Sequence, residues 1–301
     1  MDTINTIIKG VIFATGILVL NALSTSAHAG LIVTEWSYST DATFSNAVFG
    51  AGTGTTIATD YELSWGAAPP PAPPAPYYTN TTSGRSALTV GSGDTGSDRY
   101  GGGPVVGSVD TMFGPGMPSG SEIGLGVSFT HWNNSMSTDF ATLLSARVTD
   151  TLTLTPVLPA AGPAIPAPTL LFDFEFRETL NAGPCAGGTP TPCGDLFGFS
   201  GTPTLNLPLF YDGNHYLVDV LILGPGLTPS PIGFLNDGQC AALGFNTGPS
   251  GMRCQGFLTP EAAHTTVQFG FSIRAVPEPG TILIMAIGLL FLVSRQVAVR
   301  N

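Results

Sequence analysis

From residue 30 to residue 276 the chain alternates apolar and polar side chains with a period of two, and no long stretch there repeats at helical spacing. Ile57, Thr59, Tyr61, Leu63 and Trp65 share one face of a predicted strand that ends at Gly66. Leu88 and Val90 begin another short strand. Ile123, Leu125, Val127 and Phe129 alternate with Gly124, Gly126, Ser128 and Thr130. His131 then falls on the apolar face, Trp132 on the opposite one, and Asn133-Asn134 ends the run. Beyond it, Ser137 can cap a short helix carrying Phe140, Leu143 and Leu144. Val148, Leu152 and Leu154 oppose a ladder of Thr149, Thr151, Thr153 and Thr155. Leu170, Phe172, Phe174 and Phe176 oppose Asp173, Glu175 and Arg177 in the clearest amphipathic strand of the chain. Phe210 to Tyr216 reads as a hairpin, with Asp212-Gly213 supplying the positive φ of a tight turn. Tyr216, Val218, Val220 and Ile222 lead out of it, and Val267, Phe269, Phe271 and Ile273 form a last strand. This many strands without a βαβ pattern predict an all-β fold, an antiparallel β-sandwich of jelly-roll-like complexity.

The two ends break this pattern. Residues 1–29 carry one cation, Lys9, an apolar stretch from Val11 to Leu20, and the small-x-small pattern Ala27-His28-Ala29. That is the layout of a secretory signal peptide, a signal helix with cleavage expected between Ala29 and Gly30. Residues 277–301 begin with Pro277-Glu278-Pro279, continue through an uncharged apolar run at 281–293, and end with Arg295 and Arg300. A helix over that run rises only about 20 Å against a hydrocarbon core of about 30 Å. It therefore reads as a short transmembrane helix that crosses transiently, an address more than an anchor. The exported body is then residues 30–276, a length that one all-β domain can reach. A proline-rich loop at 67–76 cannot pair in a sheet and is expected as an extended surface spacer within that domain.

Composition sharpens the class. Glycine (39) and proline (26) make up about a fifth of the chain, just short of a disordered composition, so a loop-rich folded domain is expected. Without Asp2, Lys9, Glu278, Arg295 and Arg300, the body keeps 18 acidic and 6 basic residues, and all six are arginines. Such a surface repels phosphate backbones, which argues against nucleic acid as a partner. The absence of lysine excludes Schiff-base chemistry and Lys–Asn crosslinks. The four cysteines, Cys185, Cys193, Cys240 and Cys254, all fall in the exported body. In an oxidising compartment they are expected as two local disulfides, Cys185 with Cys193 and Cys240 with Cys254, each bracketing a Gly/Pro-rich loop. Zinc is disfavoured, because no Cys-x-x-Cys occurs and no histidine sits near either pair.

The tail resembles the PEP-CTERM sorting signal, also called the ice-binding protein C-terminal motif. Pro277-Glu278-Pro279, the Gly288-Leu289-Leu290 run and the closing Arg295 occur in the family's order, although the two arginines are separated. The resemblance implies a Gram-negative exopolysaccharide producer whose exosortase, a membrane protease, cuts the tail during transient contact with the inner membrane. A second resemblance lies in Thr130-His131-Trp132-Asn133. With the tail, it is similar to the THxN group of PEP-CTERM proteins, in which Thr130, His131 and Asn133 form the named motif just after a strand. Ser64-Trp65-Gly66, Ser86-Ala87-Leu88 and Phe210-Tyr211-Asp212-Gly213 match in the same order. The likeness implies architecture and address; no activity comes with it.

Candidate chemistry is sparse. His131 and Asn133 can be read as a ligand or metal pair, but a histidine on an inward face more simply bonds the Asn133 amide or a nearby carbonyl and locks the strand end. Asp94 and Asp98 lie in a glycine-rich loop of calcium-binding flavour, in a single copy where such repeats work in series. Asp173 and Glu175 share a strand face, as a carboxylate pair for sugar chemistry would, yet Arg177 continues that face as on an ordinary solvated strand. His215 and His264 form no constellation with serine and aspartate, and no nucleophile elbow, zinc-protease helix or phosphate loop is present. No catalytic residue, metal or cofactor is therefore assigned. The threonine ladder, with Thr56, Thr59 and Thr111 scattered elsewhere, is too narrow for an ice-binding array and follows from β propensity. The sequence predicts an exported structural or adhesive protein of the cell surface or exopolysaccharide matrix, touching carbohydrate through Trp36, Tyr77, Tyr78 or Tyr100. A carbohydrate-active hydrolase and an ice- or surface-binding protein are the alternatives.

Overall fold

The longest strand pair sets the frame. β1 (Glu35–Phe49) runs antiparallel to β7 (Leu143–Leu158), with Tyr38 opposite Leu154 and Phe44 opposite Val148. Along β1 alternate residues from Trp36 to Phe44 are buried, which is the period-two pattern made physical. The register slips between Ser45 and Val48, beside Asn46 at a φ of 54°, so a bulge bends the strand where its burial pattern ends. The computed structural model describes residues 30–68, 84–91, 102–167, 169–179, 184–188, 193–199, 206–224, 229–230, 233–245 and 254–276.

The all-β expectation holds. β2 (Thr55–Ala58), β3 (Glu62–Gly66), β4 (Arg85–Gly91), β5 (Val105–Phe113), β6 (Gly124–Asn133), β8 (Ile165–Pro166), β9 (Leu170–Arg177) and β10 (Asp195–Phe199) follow along the chain. After them come β11 (Asn206–Tyr211), β12 (Asn214–Leu223), β13 (Pro229–Ser230), a short helix α1 (Asp237–Ala242), β14 (Gly256–Thr259) and β15 (Ala263–Val276). One hydrogen-bonded path joins most of them, in the order β14-β10-β9-β7-β1-β5-β15-β6-β4-β3-β2. The pairings are antiparallel except at the middle, where β15 runs parallel to β5 and sets Ile273 beside Thr111. A purely antiparallel fold is thus corrected to one mixed sheet.

One core cluster spans the path. Phe44, Val148, Phe174 and Phe197 from one half pack in the same cluster as Trp65, Leu88, Val127 and Phe129 from the other. Phe129 meets the rings of Phe44, Phe174, Phe197 and Phe257 edge-on at 5.7 to 6.3 Å, contacts worth about 0.5–1.5 kcal/mol each beyond the area they bury.

Three local expectations change. Residues 57–65 are not one strand: the Thr59 hydroxyl accepts from the Glu62 amide at 3.0 Å, and this turn folds β2 back onto β3. No helix follows Ser137. Its hydroxyl accepts from the Asp139 amide in a turn, Phe140 bridges Thr53, and Leu143 already opens β7. Trp36 is fully buried, because β1 lies inside the sheet between β5 and β7, and its indole donates to the Thr111 hydroxyl at 2.9 Å. Tyr77, Tyr78, Tyr100, Asp94, Asp98, the prolines of the 67–76 loop, the signal region 1–29 and the tail 277–301 lie outside the described residues.

Both disulfides have the expected pairing, Cys185–Cys193 and Cys240–Cys254, and close loops worth about 2.5–3 kcal/mol each in the chain-entropy account. Two compact units are distinguished, a large one of Val33–Leu209 with Leu217–Ala275, and a small one whose described residues are Gly30–Ile32, Phe210–Tyr216 and Val276. In the small unit Asp212 and Gly213 both take positive φ at the hairpin turn, and the Gly30 amide donates to the Asp212 carbonyl.

Candidate functional site

The Thr-His-x-Asn segment ends β6, a strand hydrogen-bonded on both edges, to β4 through Leu88 opposite His131 and to β15 through Thr265 opposite His131. Two of the other likened stretches are its neighbours: Ser64-Trp65-Gly66 on β3 pairs with β4, where Ser86-Ala87-Leu88 lies. Alternation then divides the segment. Thr130 meets the Thr266 hydroxyl at 2.9 Å across the β6/β15 pair, and Trp132 stacks on His264 at 4.8 Å on the same face, where Thr130 and Trp132 are both buried.

His131 and Asn133, two residues apart, point inward together. The sequence suggested that His131 bonds the Asn133 amide or a nearby carbonyl; both side chains instead reach Thr259 at the end of β14. His131 Nδ1 lies 2.8 Å from the Thr259 hydroxyl, and Asn133 Nδ2 donates to the Thr259 carbonyl at 3.1 Å. The spacing has a physical reason, since only residues at i and i+2 of a strand can address the side chain and main chain of one partner. β14 belongs to the opposite arm of the sheet path, so this contact ties the two arms across the core.

Asp195 stands opposite Thr259 on β10. Its Oδ1 accepts from the Thr179 amide at 2.8 Å, and its Oδ2 faces His131 Nε2 at 3.9 Å, beyond hydrogen-bond reach. The Thr179 hydroxyl donates to the carbonyl of Cys193, so the Cys185–Cys193 bridge holds the approach to β10. Trp65 lies parallel to His131 at 6.0 Å and donates from its indole to Glu178 Oε2 at 3.0 Å, while Phe176 and Phe197 meet the imidazole edge-on. Ser135 donates to Glu261 Oε1 at 3.0 Å.

Burial decides the charges. It lowers the His131 pKa to about 3 and so keeps the ring neutral. It raises Asp195 well above the usual carboxylate range, with the charges of Glu178 and Glu261 adding to the shift. It also pushes Glu178 up to about 8, against the Trp65 hydrogen bond and with help from Glu261. At neutral pH the His131–Asp195 pair is therefore a neutral contact and not a salt bridge. His131 Nε2, Asp195 Oδ2 and Asn133 Oδ1 are buried without a hydrogen-bond partner among the described residues.

Thr259, His131 and Asp195 stand in the order of nucleophile, base and acid, but all three side chains are sealed from solvent. Buried in this way, the three side chains tie β6, β10 and β14 together across the core. Among the described residues no three His, Cys, Asp or Glu side chains gather in a way that could hold a metal. The strand-face candidates separate as well. Asp173 is held by Arg147 in a two-point pair at 2.6 and 2.8 Å, which lowers its pKa, whereas burial first and the Asp173 charge second raise that of Glu175. His215 stacks on Phe210 at 4.4 Å.

Where Glu178 leaves the buried cluster, an open cleft of about 580 Å³ begins, lined by Glu178, Arg177, Phe176, Phe140, Thr138 and Leu144 among others. Sequence reasoning missed Thr259, Asp195, Glu178 and Glu261. Asp195 carried the one usable signal, an acid at the head of the apolar run Leu196-Phe197, where a charge has no solvent to face.

The described body is all-β, with a sealed polar cluster and an open cleft beside it. The tail gives the more particular finding: residues 275–297 match the PEP-CTERM protein-sorting motif, which indicates export and sorting through exosortase, a membrane enzyme. No curated protein matches the chain. Among the described residues no helix is long and apolar enough to cross a membrane. The expected sorting residues Pro277, Glu278, Pro279 and Arg295 fall inside the matched range.

Proposed function

We propose that the protein is a non-catalytic structural or adhesive component of the cell surface or exopolysaccharide matrix, delivered and trimmed through its tail. The observation that carries this is the junction: β15, paired to β6 in the body, ends at Val276, and the next residue is Pro277 of the sorting motif. A cut in the tail therefore removes the membrane address and leaves every strand of the body intact. In the same reading the signal helix leaves after Ala29, residues 281–293 cross the inner membrane transiently, and the body has jelly-roll-like connectivity. The small-x-small pattern and the uncharged run support the first two of these, and the shared core of the two arms supports the third. The THxN likeness fits an architectural role for His131 and Asn133.

The test is the intact mass of the protein from its host, taken separately from membrane and medium or matrix fractions. A mass ending near Val276 with an added group supports sorting. A chain running through Asn301 that stays in the membrane makes the tail an ordinary anchor and sinks the reading. A second reading, a carbohydrate-active hydrolase, is favoured by one observation: Glu178, protonated near neutral pH, lines an open cleft as a general acid would. Release of reducing ends from polysaccharide, lost in Glu178→Gln, would establish it; binding without release supports the adhesive role.

A further inference from the structure

The arginines of an acidic protein are scarce, and the described ones are nearly all engaged. Arg85 is buried among carbonyl and hydroxyl oxygens, Arg147 is held by Asp173, and Arg274 donates to Asp219 at 3.0 Å. Arg177 is exposed at the end of β9 and takes no carboxylate partner among the described residues. It lines the cleft of about 580 Å³, a volume within the usual range of small-ligand sites. Its neighbours divide by chemistry: Phe140, Phe176 and Leu144 give an apolar wall, and Thr138 gives a hydroxyl.

We propose that this cleft binds an acidic sugar residue of a polysaccharide, with the Arg177 guanidinium receiving the sugar carboxylate and the apolar wall receiving the C–H face of the ring. This rests on the matrix reading above and names its ligand. A planar guanidinium matches a carboxylate in two parallel hydrogen bonds, and a pyranose ring has one apolar face that an aromatic or leucine wall accepts. Charge density selects the polymer. The net charge of −11 repels densely charged phosphate chains, whereas one carboxylate per repeat asks for the single cation that the cleft offers. Glu178, the next residue, would cancel that cation if it were ionised. It is turned toward Trp65 and influenced by Glu261 and Asp195, and burial keeps it protonated near neutrality, so Arg177 stays available and Glu178 can donate to an anionic oxygen.

The experiment is calorimetric titration of the mature protein recovered from its host, with an oligoglucuronide, a neutral gluco-oligosaccharide of equal length, and polyglutamate. The expected result is binding of the oligoglucuronide alone, weakened about ten- to a hundredfold in Arg177→Gln, the range for a lost charged hydrogen bond. Arg147→Gln, outside the cleft, binds as the parent does. Thr138→Trp, which fills the cleft from an exposed position, abolishes binding and keeps a cooperative unfolding transition. Equal binding by Arg177→Gln, or of the neutral oligosaccharide, overturns the assignment of Arg177. Equal binding of polyglutamate overturns the sugar class. Failure to bind by a protein still found in the matrix fraction overturns the cleft and leaves the sorting reading intact; binding by a protein confined to the membrane does the reverse.

Discussion

Ser64 and Trp65, adjacent on β3, open onto two buried polar regions of opposite character. On the Ser64 side sits Arg85, 1 % exposed. Its Nη1 donates to the carbonyls of Thr55 and Ala67 at 3.1 and 2.7 Å and to the Thr55 hydroxyl at 3.0 Å, and its Nη2 donates to the Ser64 hydroxyl at 2.6 Å. That hydroxyl in turn donates to Glu62. A fixed cation is met by oxygens, with an acid one hydroxyl away. On the Trp65 side Glu178, Asp195 and Glu261 influence one another with a neutral histidine between the arms. The first region balances its charge with permanent groups, the second by holding protons. The second therefore carries a pH dependence of its own.

The largest expected effect tests the first region. Arg85→Met leaves the buried Glu62 and the carbonyls of Thr55 and Ala67 without their cation, and removing one side of a buried charged network costs about 3–5 kcal/mol. Urea unfolding at neutral pH should show that loss. A loss below about 1 kcal/mol would mean that water replaces the guanidinium and that the network is not sealed.

The tie between the arms comes next. Asn133→Ala deprives the buried Thr259 carbonyl of its donor and leaves a small void, a loss of about 2–3 kcal/mol. Thr259→Val, which keeps the shape and removes the hydroxyl bonded to His131, should cost less, about 1–2 kcal/mol. Equal effects would put the weight on the side-chain contact and not on the main-chain one.

The pH profile distinguishes the two regions directly. His131 falls from 6.5 in the unfolded chain to about 3 in the fold, so it makes stability rise from pH 3 to 6.5. Glu178 rises from 4.5 to about 8, so the fold holds a proton that the unfolded chain releases, and stability falls between those values. The two slopes cancel from about pH 4.5 to 6.5. Above 6.5 only the acids act, and stability drops by about 1.4 kcal/mol per pH unit for each proton held. Glu178→Gln, whose amide oxygen still accepts from Trp65, should remove its share of that fall and gain on the parent as pH approaches 8. A parent whose stability is flat from pH 6.5 to 8 would rule out protonated acids in the cluster.

How far these regions could be read in advance follows from what each depends on. The placing of His131 and Trp132 on opposite faces and the Asp212-Gly213 hairpin were legible, because alternation and a positive-φ turn are properties of neighbouring residues. The disulfide pairs were legible for the same reason, since each closes a short loop. The turn at Thr59 was hidden because Ile57 to Trp65 keeps perfect period two straight through it, so alternation alone cannot report a reversal. Trp36 looked available for a ligand because its place in the sheet depends on β5 and β7, more than seventy residues away, arriving on either side. Thr259 and Asp195 were missed on the same ground: what makes them partners of His131 is the closing of one arm over the other, which no local spacing encodes.

The smallest expected effect guards against explaining the contrast by counting ion pairs. Arg147 and Asp173 make the shortest charged contact described, at 2.6 Å, yet both lie in solvent, with side chains 34 % and 48 % exposed. Water and salt screen such a pair, and ordering two long side chains offsets much of the attraction, so a double-mutant cycle with Arg147→Gln and Asp173→Asn should return a coupling far smaller than the Arg85 loss. That coupling should shrink further in about 1 M salt, where the screening length falls to about 3 Å. Arg85, 1 % exposed and bonded to more oxygens, all of them neutral, should keep its larger effect in the same salt. If Arg147 instead matched Arg85 in size and salt resistance, burial would not be what separates the two kinds of polar region, and the neutral state assigned to His131 and Asp195 would lose its physical basis.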